Sequence, residues 1–140
     1  MRVFLTKHFA KFARREQIRD ASLAEAVERA VRGLVDADLG GGIIKQRVAR
    51  LGHGRSGGYR TLIAFRAGDF AVFVFGFSKS ERANVGEGEL ASLQSIASQW
   101  LGDGSKLAKD LAAGILIEVE HDGEFQQALA ARKRDPRIGR

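Results

Sequence analysis

The run Phe70-Ala-Val-Phe-Val-Phe-Gly-Phe-Ser78 limits the possible folds more than any other part of this sequence. Successive side chains of a strand point to opposite faces. Val72 and Val74 therefore oppose Phe73, Phe75 and Phe77, and both faces are apolar. Such a strand belongs in the middle of a sheet. Its expected partner is a strand over residues 59–66, joined to it through the short Ala67-Gly68-Asp69 turn. Before that, Ile43–Arg50 alternates, with Ile44 and Val48 on one face and Lys45 and Arg47 on the other.

Helical periodicity accounts for most of the rest. A strand over residues 2–5 leads to Thr6, which can cap a helix reaching Arg15 with Phe9, Phe12 and Ala13 on one side. Ser22-Leu-Ala-Glu25 reads as a capping box for a second helix. Leu23, Ala26, Val27, Ala30, Val31 and Leu34 then form its apolar face, and Gly33 with Gly40-Gly41-Gly42 ends the helical region. Leu90, Leu93, Ala97, Trp100 and Leu101 predict another helix, followed by a short one over 105–113 and a strand within 115–119. Two helices followed by a hairpin-linked meander predict an α+β domain. It has a small antiparallel sheet, N-terminal helices packed on one face, and C-terminal helices. The domain is expected over 1–119, with residues 120–140 a partly disordered extension ending Arg132-Lys-Arg-Asp-Pro-Arg-Ile-Gly-Arg140.

Charge narrows the function. The 140 residues carry a net charge of +6 with a pI near 10.2, which suits an anionic partner such as nucleic acid. The distribution says more than the total. Residues 39–68 contain no acid, although 17 acids in 140 residues would place three to four in a window of thirty. The same window holds Lys45, Arg47, Arg50, Arg55, Arg60 and Arg66. The absence of cysteine excludes a disulfide framework and a thiolate metal site. His8, His53 and His121 lack metal-ligand spacing, and neither a metal nor another cofactor is expected. No signal peptide or membrane span is read from the sequence, so a cytoplasmic protein with no membrane partner is expected.

Two motifs in the cationic segment mislead. Gly52-His-Gly54-Arg-Ser-Gly57 fits a dinucleotide fingerprint, but that motif works at a helix N-terminus and a strand follows here. Gly54-Arg-Ser56-Gly-Gly58 fits a nucleophile elbow, but it lacks the strand-to-helix turn and the large parallel sheet. As a loop, residues 52–58 allow close backbone approach and can form an anion nest. Lys45 and Arg47 share a strand face, and Arg60 on the next strand can neighbour them. Such cations repel one another until an anion arrives. A lysine in this company can give up its proton, whereas arginine stays charged and stabilises a developing phosphorane. That chemistry allows metal-free RNA cleavage by attack of a 2′-hydroxyl on the adjacent phosphate. Tyr59 can stack on a base. His53 is a candidate acid or base, and His8 is expected on the surface of the first helix.

Lys45-Gln-Arg47-Val-Ala-Arg50, Arg55-Ser-Gly-Gly-Tyr59-Arg60 and Phe77-Ser-Lys79-Ser-Glu-Arg82-Ala-Asn84 together resemble the RelE toxins of type II toxin–antitoxin systems. Gly33-Leu-Val-Asp-Ala-Asp-Leu-Gly-Gly-Gly42 resembles a RelE/HigB-like subgroup. The resemblance implies a ribosome-dependent mRNA endoribonuclease that inhibits translation. It also implies partners in the ribosome, mRNA and a cognate antitoxin, the last expected to be a helix-turn-helix protein from an adjacent gene. By the resemblance Lys45, Arg47 and Arg60 are catalytic. Arg50, His53, Arg55, Tyr59, Lys79 and Arg82 are expected to bind RNA. The family's Lys-Arg-Glu-Arg turn reads Lys79-Ser80-Glu81-Arg82 here, so a catalytic arginine falls on Ser80, and the base-stacking tyrosine falls near Gly86. Arg82, Lys79, His53 or Tyr59 would then supply those roles. Two alternatives remain open: a ParE-like inhibitor of DNA gyrase, and a non-catalytic RNA- or ribosome-binding module.

Overall fold

The computed structural model describes residues 1–50, 54–102 and 104–119. Strand β1 (Arg2–Thr6) runs directly into helix α1 (Lys7–Arg15). The Thr6 side chain accepts a hydrogen bond from the Phe9 backbone N–H at 3.1 Å, which supplies the expected cap. Helix α2 (Asp20–Val31) starts two residues before the expected box. Ser22 therefore lies inside the first turn and Arg19 occupies the cap position without a side-chain bond. Asp20 supplies the acid that the helix N-terminus favours. Glu25 instead pairs with Arg29 at 2.8 Å, an i,i+4 bridge.

Strand β2 (Ala37–Gly40) was not foreseen; it pairs antiparallel with β3 (Ile43–Arg50). The triple glycine is the turn between them, with all three residues at positive φ. At Gly42 a Cβ would also lie 2.1 Å from Leu101 Cδ1, so the site excludes side chains twice over. Strands β4 (Gly54–Arg66) and β5 (Phe70–Ser78) complete the meander, with the expected turn between them. Helices α3 (Glu87–Leu101) and α4 (Ser105–Ala112) follow, and β6 (Leu116–Glu118) closes the described chain.

The strand order is β2-β3-β4-β5-β1-β6, which puts β5 inside the sheet as its two apolar faces require. The sheet is antiparallel except where β1 lies parallel to β5, so the all-antiparallel expectation is corrected at that one pairing. Helices α1 and α2 cover one face through Phe9, Phe12, Leu23, Ala26 and Val27, packed on Ile44, Val48, Ile63 and Phe73. The C-terminal helices take the other face, where Trp100, Ala97, Leu107 and Leu111 meet Phe4, Ile43, Leu62 and Val72. The Trp100 indole N–H donates to the Asp110 carboxylate at 2.9 Å, tying α3 to α4. Among the described residues no helix is long and apolar enough to cross a membrane. The extension expected over 120–140 lies outside the described residues.

Candidate nucleic-acid interface

Strand β3 alternates as the sequence requires. Ile44, Gln46 and Val48 turn inward toward α2, so Lys45 and Arg47 turn to the α3/α4 side. In the β3–β4 ladder Arg47 lies directly opposite Arg60, while Lys45 lies opposite Leu62. Directly opposed residues have Cβ atoms about 4.5–5.5 Å apart, so two guanidinium side chains rise from adjoining points on one face. Arg47 is exposed and Lys45 and Arg60 are partly so. Arg60 Nη1 is buried and has no hydrogen-bond partner among the described residues. A buried donor left unmade costs roughly 1–3 kcal/mol, so this N–H gains from any acceptor that reaches it.

Arg47 is held from behind. Its backbone N–H donates to Asp36 Oδ2 at 2.7 Å, and its carbonyl accepts from the Arg29 guanidinium. Beyond Ala37, strand β2 has no further register partner for β3, and these two side chains bond the edge in its place. Arg29 is itself buried and lies 3.6 Å from Asp36. The neighbouring Gln46 is fully buried and its side-chain amide is saturated. It donates to the carbonyls of Ala26 at 3.0 Å and Leu34 at 3.2 Å, and accepts from the Asp36 N–H at 2.7 Å. Neither Arg29 nor Asp36 was singled out from the sequence; an acid just before a β-strand carries no signal of its own.

The third strand adds aromatic surface. Phe77 is the register partner of Arg60, and Phe75 lies opposite Leu62 on the same face; the register shift between Leu62 and Ile63 moves Phe75 away from the face of Phe73, where strict alternation was expected to keep it. Arg82 lies over both rings, at 5.6 Å from Phe75 and 5.7 Å from Phe77. It forms a fork with the Glu89 carboxylate, with one bond at 3.1 Å, and donates to the Asn84 carbonyl at 3.0 Å. The hydrogen bonds from Arg82 and from the Gly86 N–H hold the Glu89 carboxyl below its ordinary range, and the same pairing raises the Arg82 guanidinium. Lys79 is exposed in the turn that follows β5. His8 is exposed as expected, but its ring is not isolated; it stacks on Phe75 at 5.8 Å with an interplanar angle of 7°.

Several expected positions turn out differently. Tyr59 is only 3% exposed and faces α1, where its ring meets Phe12 edge-on at 5.6 Å. Its hydroxyl donates to the Glu16 carbonyl at 3.4 Å. Burial, and then Glu16, push the phenol above its ordinary pKa, so it remains a protonated core group rather than a base-stacking platform. Arg50 does not share the Lys45–Arg47 face either: strand alternation puts it with Ile44 and Val48, and its guanidinium sits 5.9 Å over the Tyr59 ring. The glycine-rich stretch is not a loop from Gly54 onward but the start of β4, so the extended backbone there forms no anion nest. Gly58 is needed for another reason: a Cβ would stand 2.1 Å from the Val48 carbonyl oxygen. His53 lies outside the described residues, and for Arg55 only the strand position is described. Ser80 hydrogen-bonds with Ser78 at 3.1 Å, and Gly86 caps α3.

Lys45, Arg47 and Arg60 thus share one partly open face, walled by Phe75, Phe77 and Arg82. Comparison with curated proteins finds no significant match. The family model of the RelE toxin of the RelE/RelB toxin–antitoxin system matches residues 1–119, and the chain belongs to the RelE toxin family.

Proposed function

We propose that this toxin cuts mRNA on the ribosome, in the cytoplasm, by metal-independent attack of a 2′-hydroxyl on the adjacent phosphate. RelE toxins are generally translation-inhibiting mRNA endoribonucleases, and membership implies an antitoxin partner. The observation that carries the reading here is Arg47 directly opposite Arg60, with Lys45 two residues along on the same face. Two opposed guanidinium groups are unfavourable without an anion and well placed with one. Arg47 and Arg60 stabilise the charge that grows on the phosphate, and Lys45 serves in proton transfer. Lys79 and Arg82 contact the RNA strand, with Arg82 the arginine nearest the position that Ser80 vacates. His53 and Arg55 make further RNA contacts, Arg50 lies on the opposite face, and a helix-turn-helix antitoxin would cover the cationic face.

Induced expression followed by mapping of mRNA 5′ ends tests this. Codon-phased cuts are expected within translated regions. Lys45→Ala, Arg47→Ala and Arg60→Ala should each relieve growth arrest; equal arrest by all three would sink the assignment. A second reading, RNA binding without cleavage, is favoured by one observation: Ser80 and Gly86 have structural partners in place of catalytic side chains. Arrest without new 5′ ends would select it.

A further inference from the structure

Arg82 stands beside the Lys45, Arg47 and Arg60 face but is bonded in another way. Each of its three side-chain nitrogens has an acceptor. Nε donates to the Asn84 carbonyl at 3.0 Å, while Nη1 and Nη2 reach the two oxygens of Glu89, the first at 3.1 Å. Arg60, by contrast, keeps a buried Nη1 with no partner among the described residues. The rim of the Arg82 guanidinium is occupied and its charge is paired.

Its two sides are unequal. Cζ lies 5.6 Å from the Phe75 ring and 5.7 Å from the Phe77 ring, and the two ring centroids are 6.1 Å apart. These distances form a nearly equilateral triangle, so both rings stand on the same side of the guanidinium. The side chain is still 37% exposed, and the side away from the rings is the one left open. Helix α3 fixes the plane from behind. Glu89 Oε1 also accepts the Gly86 N–H at 2.9 Å, and a Cβ at Gly86 would press on that oxygen from 3.2 Å. The bonds that Glu89 accepts hold its carboxyl below the ordinary range, so the pair stays ionised at neutral pH.

Such an arginine suits a flat ligand better than a phosphate. A phosphate approaching Arg82 meets a carboxylate of its own sign, already bonded to the same fork. A nucleobase asks only for a plane, and guanidinium planes stack on bases without using their N–H groups. The location fits as well. Phe77, under Arg82, is the register partner of Arg60, so the plane rises one strand, about 4.8 Å, from the strand that carries that cation. We propose that the open side of Arg82 is a stacking platform for an unpaired RNA base, next to the phosphate held by Arg47 and Arg60. Glu89 is then a positioning residue, which fixes the plane and cancels its charge. The proposal rests on RNA as the ligand of this face and does not need cleavage; it gives Arg82 a base contact in place of a phosphate contact.

The test uses the full chain and two fluorescein-labelled probes, followed by anisotropy. One is a single-stranded 2′-O-methyl RNA hexamer, which has no hydroxyl to attack. The other is its abasic counterpart of equal length and charge. The parent should prefer the hexamer with bases, and Arg82→Ala should reduce that preference roughly tenfold. Arg82→Lys keeps the charge without the plane and should do no better than Arg82→Ala. Arg82→Tyr/Glu89→Gln keeps a plane with no charge at either position and should restore the preference. Glu89→Gln alone frees Arg82 to take a phosphate, so its slope of log affinity against log salt should steepen by roughly 0.7 while the preference for bases falls. Equal binding of both probes by the parent overturns the proposal. So does an unchanged preference in Arg82→Ala, or a parent-like preference in Arg82→Lys. Exposed ion pairs add little stability, so these variants should fold; if Arg82→Ala melts early, the contrast between Arg82→Lys and Arg82→Tyr/Glu89→Gln still decides. On RNA with free 2′-hydroxyls, base preference without cuts sinks the cleavage reading and leaves this one standing, and cuts without base preference do the reverse.

Discussion

The two sides of strand β3 present opposite kinds of polar chemistry. Toward α2, Gln46 is fully buried and uses both amide hydrogens and its oxygen, while Arg29 and Asp36 bond the backbone next to it. Toward the α3/α4 side, Arg47 faces Arg60, and Arg60 keeps a buried N–H with no partner among the described residues. The residues are neighbours in sequence, and only the two-residue period of the strand separates them. One side is complete without a ligand; the other, on the proposed reading, is completed by an anion. Stability and readiness for an anion therefore reside in adjacent residues, and substitutions can separate them.

Arg60→Ala should show the largest effect and only on activity. Loss of one preorganised charge stabiliser commonly costs about 10²–10³ in rate, and mRNA cleavage should fall by that order. Its melting temperature should stay within a few degrees of the parent or rise, because an orphaned donor and a like-charge neighbour both disappear. A variant that melts far below the parent would break the contrast between the two sides. Gln46→Leu should do the reverse. It leaves the carbonyls of Ala26 and Leu34 and the Asp36 N–H without their partner, for a loss of about 3 kcal/mol in chemical denaturation. Activity per folded molecule should be kept to within a few-fold. If Gln46→Leu folds as stably as the parent, the inward side is not the stabilising one.

Much of this arrangement was legible from periodicity. The alternation of residues 43–50 already put Lys45 and Arg47 together, and the two apolar faces of 70–78 already put that strand inside the sheet. The same period, applied to Tyr59 and Arg60, separates them, since neighbours on a strand point opposite ways; Tyr59 belonged to the core for that reason. Strand β2 was not legible, because Ala37-Asp-Leu-Gly40 is only four residues long, lacks β-branched residues and depends on β3 for its form. The parallel docking of β1 beside β5 is a long-range choice that local pattern does not encode. At α2, a good capping box at Ser22 lost to a start at Asp20, where the acid sits in the first turn. The place of Arg50 over Tyr59 follows from the same alternation, which puts it on the face of Ile44 and Val48 rather than that of Lys45 and Arg47.

Asp110 extends the contrast to a buried charge and gives the smallest effect. It lies under the α3/α4 side, accepts from Trp100 and pairs with Lys106 at 2.9 Å. Burial alone would raise its carboxyl, but the two hydrogen bonds outweigh burial and hold it below the ordinary aspartate range. A carboxyl lowered by folding contributes stability above its unfolded pKa, about 3.9, and loses it as pH falls through the folded value. Asp110→Asn keeps an acceptor for Trp100 but loses the charge facing Lys106, a pair that is half open to solvent on the lysine side. The cost at neutral pH should be about 1 kcal/mol, read as a few degrees in melting temperature. Below about pH 4 the gap to the parent should narrow and then close, because the parent's carboxyl takes up its proton there. A gap that stays constant down to pH 2 would mean that the ionised form of Asp110 does not hold α3 against α4. In Asp110 the charge already has its partners; in Arg60 the proposed partner is RNA, and only the first should leave a trace in the melting curve.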